Sequence, residues 1–244
     1  MNRFYIEKKN VDKQQNVAVI TDRDELKHLT KVLRLEVGDH IEVCDGEGTD
    51  YLGEIASVGQ DEVGLTLLEG LPSREMPVKV DLYQGVPKGQ KWDYLLQKSV
   101  ECGVHSIVPV QMKRSVAKIS DEKSSKKQGR WQKIADEAAK QSKRSIKPLV
   151  KESVSFSEAL TMMGDYDLVL VAYENERLNS LNKISDLVGD ASKIAIWIGP
   201  EGGIADEEID RLKEFAQVIS LGKRILRTES AAMVLLSQIS YIVE

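Results

Sequence analysis

The apolar run Lys193-Ile194-Ala195-Ile196-Trp197-Ile198 leads without a break into Gly199-Pro200-Glu201-Gly202-Gly203, and a helix-forming stretch, Ala205–Phe215, follows. A glycine-rich turn beyond the carboxyl end of a buried strand is a place where backbone amides meet ligands. Phosphate is a poor match here. Neither GxGxxG nor GxxxxGK[ST] spacing is present, and Glu201, Asp206, Glu207 and Glu208 would repel an anion. A cofactor with cationic groups and no phosphate suits the turn better, and S-adenosylmethionine is one. The same residues also suit an ordinary tight turn, with glycines allowing the bend and acids favouring the next helix start. Further along comes Leu221-Gly222-Lys223-Arg224-Ile225-Leu226-Arg227-Thr228-Glu229-Ser230. Arg227, with Arg224 beside it, is the strongest candidate for stabilising developing negative charge. Glu201, ahead of Glu229, or else water, is the candidate proton acceptor. Glu229 also suits the dipole of a final helix or a simple pairing with Arg227.

These residues need a scaffold, and the chain supplies one by alternation. Val78–Val86 reads as a strand, Trp92–Cys102 as a helix, His105–Val110 as a strand and Trp131–Arg144 as a helix. Asp167–Tyr173 and Lys193–Ile198 are continuous apolar runs of the kind buried on both faces of a parallel sheet. A helix over Glu229–Val243 closes the chain. Strands and helices in this order imply an α/β domain, and periodicity alone points to an open doubly wound sheet. The first 70 or so residues differ. Short strands at Arg3–Ile6, Val17–Ile20, Ile41–Asp45, Tyr51–Val58 and Val63–Glu69 are punctuated by glycines, as in a small barrel. One helix over Asp22–Leu33, with Thr21 or Asp22 as its N-cap, interrupts them. Pro72 and Pro77 bracket the best linker, so the expected domains are 1–72 and 73–244.

Apolar residues make up 41% of the 244 and charged residues 30%, which excludes a disordered or fibrous chain. No stretch approaches the roughly 20 apolar residues of a membrane helix, and the N-terminus lacks the apolar core of a signal peptide. Cys44 and Cys102 are the only cysteines, which fits a reducing cytoplasm. His28, His40 and His105 are scattered, so no metal site is expected. The net charge of -5 hides an asymmetry: Lys113–Lys151 holds 13 Lys or Arg against 4 Asp or Glu, a local +9 that leaves -14 elsewhere. Such a stretch is either a solvated face or the footprint of phosphate-backbone binding. Arg114, Arg130, Trp131, Gln141 and Arg144 favour RNA, since planar and bidentate groups suit it better than bare lysine, although Trp131, like Trp92, suits a core position better than base stacking.

Taken together, GPEGG and LGKRILRTES resemble the cofactor-binding signature of the SPOUT methyltransferases. Within that class the chain is similar to the RsmE family, the 16S ribosomal RNA uracil-N3 methyltransferases. The likeness covers nearly the whole chain. It is carried by Arg3-Phe4, by His28-Leu29-x-x-Val32-Leu33-Arg34 with Gly38-Asp39, and by Lys88. Glu101-Cys102-Gly103-Val104, Ile107-x-Pro109, Arg114-Ser115 and Ala138–Arg144 continue it. Two departures are small: Ser230 stands where threonine is frequent, and Lys140 where an acid is common.

The resemblance implies a SPOUT-type parallel sheet with a C-terminal trefoil knot, preceded by a small PUA-like barrel. It implies S-adenosylmethionine as cofactor, a homodimer, no metal, and 16S rRNA as partner, methylated at uridine-1498 during small-subunit maturation. Three loops would form the cofactor pocket: Ala172-Tyr173-Glu174, Gly199 to Gly203, and Ile219 to Thr228. Carried over, the cofactor residues are Ala172, Tyr173, Gly199, Pro200, Glu201, Gly202, Gly203, Leu221, Gly222, Arg224, Ile225, Leu226 and Thr228. The resemblance also marks Arg3, His28, Arg34 and Lys88 as RNA contacts, though a histidine placed like His28 is more often packed or on the surface, and Arg34 suits a helix C-terminus as well as an RNA contact. Two rival readings remain at this point. One is transfer to a ribose 2'-hydroxyl; the other is a non-catalytic RNA-binding protein of ribosome assembly.

Overall fold

The computed structural model describes residues 1–89, 91–116, 121–176 and 184–244, with 121–125 described by backbone alone. They divide into two compact units, Met1–Glu75 with Ala139–Lys147, and Met76–Ala138 with Pro148–Glu244. A division by chain position at 72 and 73 therefore leaves out a segment: residues 139–147 belong with the N-terminal unit.

In that first unit six strands form one sheet. They are β1 (Arg3–Tyr5), β2 (Val11–Asp12), β3 (Val17–Ile20), β4 (His40–Cys44), β5 (Asp50–Val58) and β6 (Val63–Leu71), in the order β1-β4-β5-β6-β3-β2. β1 runs parallel to β4, and the remaining pairs are antiparallel. Register shifts between β5 and β6 at Leu52/Gly53 and Ile55/Ser57 curl the sheet. β1 and β2 remain unjoined at its edges, so the sheet is an open half-barrel. Inward residues Phe4, Ile20, Leu29, Ile41, Val43, Ile55 and Leu65 make its core. The interrupting helix is α1 (Arg23–Lys27), capped by Asp22, whose carboxylate accepts from the amides of Asp24 and Glu25. It continues as a π-helical turn over His28–Val32 and ends where Arg34 takes a left-handed φ of 54°.

Residues 139–147 are tied to this unit by buried charge. Arg3 donates to Asp50 (2.7 Å) and to the Arg144 carbonyl (2.8 Å), and Ser145 Oγ donates to Asp50 (2.7 Å). The Arg144 guanidinium lies on Glu75, which also accepts from the amide of Ser145 (2.7 Å). The Asp50 side chain is fully buried. Charges this deep are tolerated only when paired and hydrogen-bonded.

The second unit is an all-parallel sheet of β7 (Lys79–Gly85), β8 (Ser106–Gln111), β9 (Leu149–Val150), β10 (Val154–Ser155), β11 (Leu168–Ala172), β12 (Lys193–Ile198) and β13 (Gln217–Ile219). The order is β10-β8-β7-β12-β11-β13, with β9 also on β8. The helices are α2 (Lys91–Glu101), α3 (Asp121–Gln141), α4 (Phe156–Thr161), α5 (Ile184–Val188), α6 (Asp206–Leu212) and α7 (Thr228–Val243). β12 is apolar and β7 is buried along most of its length because both faces are covered, and Tyr83 stacks on Trp197 at 5.0 Å inside that core. α3 begins earlier than expected, at Asp121, so most of the lysine-rich run 120–130 is helix; Ser120 lies outside the described residues. Lysine and glutamine favour a helix and outweigh the single Gly129. Trp92 and Trp131 are buried and meet edge to face at 5.1 Å, as core residues.

Candidate active site

The C-terminal ends of β11, β12 and β13 release three loops toward a cavity of about 590 Å³. That volume falls within the range for small-molecule and cofactor sites, roughly 300–1,000 Å³. Its walls include Ala172, Tyr173 and Glu174 from the first loop and Gly199, Pro200, Glu201 and Gly203 from the second. Residues 220–228 of the third supply the rest, with Lys91 and Ala231 at the margin.

Hydrogen bonds to the backbone fix the floor. Gln84, buried at the end of β7, donates to Thr228 Oγ1 (2.8 Å), and Thr228 Oγ1 donates to the Gly199 carbonyl (2.6 Å). The glycine loop and the first residue of α7 are thus joined through one hydroxyl. Gly203 takes a left-handed φ of +72°, and a Cβ there would stand 2.5 Å from Glu174 Oε1. The left-handed φ is what calls for glycine here, since the Glu174 carboxylate ends a flexible side chain that can move aside. Gly202 is different. It does not border the cavity; a Cβ there would meet Arg114 Cβ at 3.0 Å and the Arg114 carbonyl at 3.1 Å. Gly202 thus packs on Arg114 behind the loop.

Two carboxylates border the cavity in different states. Glu201 Oε1 accepts from the Lys88 amide (3.1 Å) and from Lys91 Nζ (3.3 Å). Partial burial acts to raise its pKa, but the amide and the ammonium outweigh that and hold the carboxyl below its usual range. A carboxylate stabilised in this way is a weak base, which argues against Glu201 as proton acceptor. Glu174 is exposed. The third loop carries the opposite charge: Lys223, Arg224 and Arg227 are all exposed, and among the described residues none forms an ion pair. Arg227 sits at the N-cap of α7, and among the described residues it forms no ion pair with Glu229. Ile225 is 87% exposed on the cavity rim, whereas Leu221 and Leu226 are half-buried. Glu229 stands in the first turn of α7, as its dipole favours, with Oε2 buried and unpartnered among the described residues.

The expected RNA contacts separate into two groups. Arg3 and Arg144 are 6% and 4% exposed and serve the buried network of the N-terminal unit; that is a correction, since a phosphate cannot reach them. Arg130 pairs with Asp93, and Arg114 donates to the carbonyls of Gly202 and Ile204. His28 is half-buried against the Phe4 ring at 5.9 Å, while Arg34, Lys88 and Gln141 are exposed. Sequence reasoning missed Gln84 and Lys91, and read Glu208 only as a charge at the helix start. Glu208 had a readable signal, since it lies three residues past the helix start at Ala205 and accepts from the Ala205 amide at 3.1 Å. Gln84 had none, because its partners are distant in sequence.

Comparison with known proteins agrees with this geometry. A family model for an RNA methyltransferase domain matches residues 74–240, and one for an RNA methyltransferase PUA domain matches residues 20–68. The class is therefore that of RNA methyltransferases carrying a PUA domain. Ribosomal RNA small subunit methyltransferase E of Bacillus subtilis is 38% identical, over 99% of this chain and 96% of that protein. Its counterpart in Mesomycoplasma hyopneumoniae is 30% identical over 98% of each. The crystal structure of ribosomal RNA small subunit methyltransferase E from Neisseria gonorrhoeae bound to S-adenosyl methionine aligns with a TM-score of 0.83. It is 28% identical and covers 99% of this chain and 98% of that one. The chain belongs to the ribosomal RNA small subunit methyltransferase E family.

Proposed function

We propose that this protein transfers a methyl group from S-adenosylmethionine to N3 of a uridine in 16S rRNA, uridine-1498 in the family, during small-subunit maturation. The observation that carries it is the cavity itself, built from three loops at the ends of adjacent parallel strands. The lining fits the cofactor. Leu221, Leu226 and Ile198 would offer apolar surface to a purine, Glu174 would suit cationic groups, and Lys223 and Arg224 would suit a carboxylate. When bound, the cofactor supplies an electrophilic methyl group on a sulfonium.

The remaining chemistry falls to the protein. Uracil N3 carries a proton at neutral pH and is usually paired, so the base must first be extruded. Arg227, exposed on the cavity rim and free of an internal carboxylate, stabilises the anion that develops on the ring as that proton leaves. Water is the proton acceptor, because Glu201 is held as a stabilised carboxylate by Lys88 and Lys91. The knotted path implied for residues 220–228 and a cytoplasmic location belong to the same reading.

A homodimer also belongs to it. α7 buries Ala232, Leu235, Leu236 and Ile239 within its own unit, yet its opposite face carries Met233, Val234 and Tyr241, the last 88% exposed. An apolar stripe of that kind suits a second copy. The test is mass spectrometric mapping of 16S rRNA after incubation with the protein and S-adenosylmethionine. Methyl on N3 of one uridine is expected; methyl on a ribose hydroxyl, or none, overturns the reading.

A further inference from the structure

Immediately after β8 the chain makes a tight turn, with the Ser115 amide bonded to the Met112 carbonyl (3.0 Å) and the Met112 amide to Ser115 Oγ (3.2 Å). Three ties run from this turn to the back of the glycine loop. The Lys113 amide donates to Glu208 Oε1 at 2.8 Å; Glu208 is 5% exposed, and its other oxygen holds the Ala205 amide. Lys113 Nζ pairs with Glu207. Arg114 Nη1 donates to the carbonyls of Gly202 (3.4 Å) and Ile204 (3.2 Å), and Gly202 lies flat against the Arg114 backbone. The other side of the same loop, Gly199, Pro200, Glu201 and Gly203, lines the cavity.

We infer that Arg114 is a positioning residue for the cofactor: it braces the glycine loop from behind and sets the height of the cavity wall. This rests on the reading of the cavity as the S-adenosylmethionine site. Its Nη1 donates to both protein carbonyls although the residue itself is exposed, so part of its donor capacity serves loop geometry. Two carbonyls of one turn left without a donor would let the loop widen, and a loop that must be ordered on binding costs affinity. Arg114 therefore acts on the cofactor through Gly202 and Ile204 without touching it.

The test compares the full-length wild type, Arg114→Met and Arg114→Lys. Calorimetry reads S-adenosylmethionine affinity, steady-state kinetics reads KM and kcat, and the salt dependence of 16S rRNA affinity is read at saturating cofactor. In Arg114→Met, which keeps the stem and loses the donor, Kd and KM for S-adenosylmethionine rise about fivefold to tenfold, the scale of one net hydrogen bond. In the same variant kcat stays within about twofold, and the salt slope is unchanged. Arg114→Lys, a point donor of similar reach, recovers most of the affinity. Wild-type cofactor affinity in Arg114→Met overturns the inference. If the salt slope then shrinks by about 0.7–0.9, Arg114 is a phosphate contact; if only the melting temperature falls, it is a fold residue. Absence of S-adenosylmethionine binding by the wild type would fail the cavity reading itself, a result separate from these.

Discussion

The cavity loop 220–228 and the basic segment 113–151 are both rich in cations, and the fold treats them oppositely. In the loop, Lys223, Arg224 and Arg227 extend to solvent beside the cavity with no carboxylate partner among the described residues. In the basic segment, Lys113 pairs with Glu207, Arg130 with Asp93, Lys140 with Glu25, Lys143 with Glu42 and Arg144 with Glu75. Five of the 13 cations in the segment that looked like the electrostatic footprint are thus paired with acids from elsewhere in the chain. A short run of three cations keeps its charge for a ligand. Density of charge in sequence is a weak guide to function; what matters is whether the fold returns a carboxylate to each cation.

The largest effect should come from the paired side of this contrast. Arg3→Ala leaves the fully buried Asp50 without its principal cation, a loss on the order of 3–5 kcal/mol for a broken buried pair. Urea unfolding followed on the N-terminal unit is the measurement, and a change below about 1 kcal/mol would mean the pair is solvated. Asp50 also fixes the sign of the acid response. Burial acts to raise its pKa, but bonds from Arg3, Ser145 and Cys44 prevail and hold it below the ordinary value. A folded pKa below the unfolded one gives stability that is fully present above about pH 4 and is lost as pH falls toward the folded value. The wild type should lose stability over that acid range, and Arg3→Ala should lose less of it.

The unpaired side predicts a loss of rate without a loss of fold. Arg227→Ala should lower single-turnover methylation by roughly 10² or more, the scale for a preorganised charge-stabilising donor, with S-adenosylmethionine affinity kept. The rate should rise toward alkaline pH, because a deprotonated uracil needs less help. Glu201→Gln should cost less than about tenfold, since a true general base is worth roughly 10²–10⁴. A loss in that upper range would restore Glu201 as the proton acceptor. Gly202→Val should weaken cofactor binding on the order of tenfold or more by forcing a side chain into Arg114. Unchanged affinity there would detach the loop's rear packing from the cavity.

The parallel sheet was legible because β11 and β12 are continuous apolar runs, and the cavity loops because GPEGG and ILRTES are contiguous motifs. Asp22 as N-cap was legible from local chemistry. What escaped was long-range. Arg144 reads as an exposed basic residue until Glu75, 69 positions away, receives it. Gln84 reads as one polar residue in a strand until Thr228, 144 positions on, accepts its amide. Gly202 and Gly203 are adjacent and identical, yet one backs onto Arg114 and the other makes room for Glu174. No local pattern separates them.

The smallest expected effect tests the comparison within the basic segment itself. Lys126 and Lys133 are exposed on α3 and form no ion pair among the described residues, whereas Lys140 and Lys143 at its end are paired with Glu25 and Glu42. If RNA affinity draws on unpaired cations, Lys126→Gln with Lys133→Gln should reduce the slope of log affinity against log salt by about 0.7–0.9 for each phosphate that is no longer neutralised. Lys140→Gln with Lys143→Gln removes the same formal charge but should leave the slope nearly unchanged, since ammonium groups already paired within the fold displace no counterions from RNA. Its cost should appear instead as a modest loss of stability, because Glu25 and Glu42 lose partners. Fluorescence anisotropy of a labelled 16S rRNA fragment across salt concentrations reads all three proteins. Equal slopes for the two double variants would mean that net charge along α3, and not pairing within the fold, governs RNA binding.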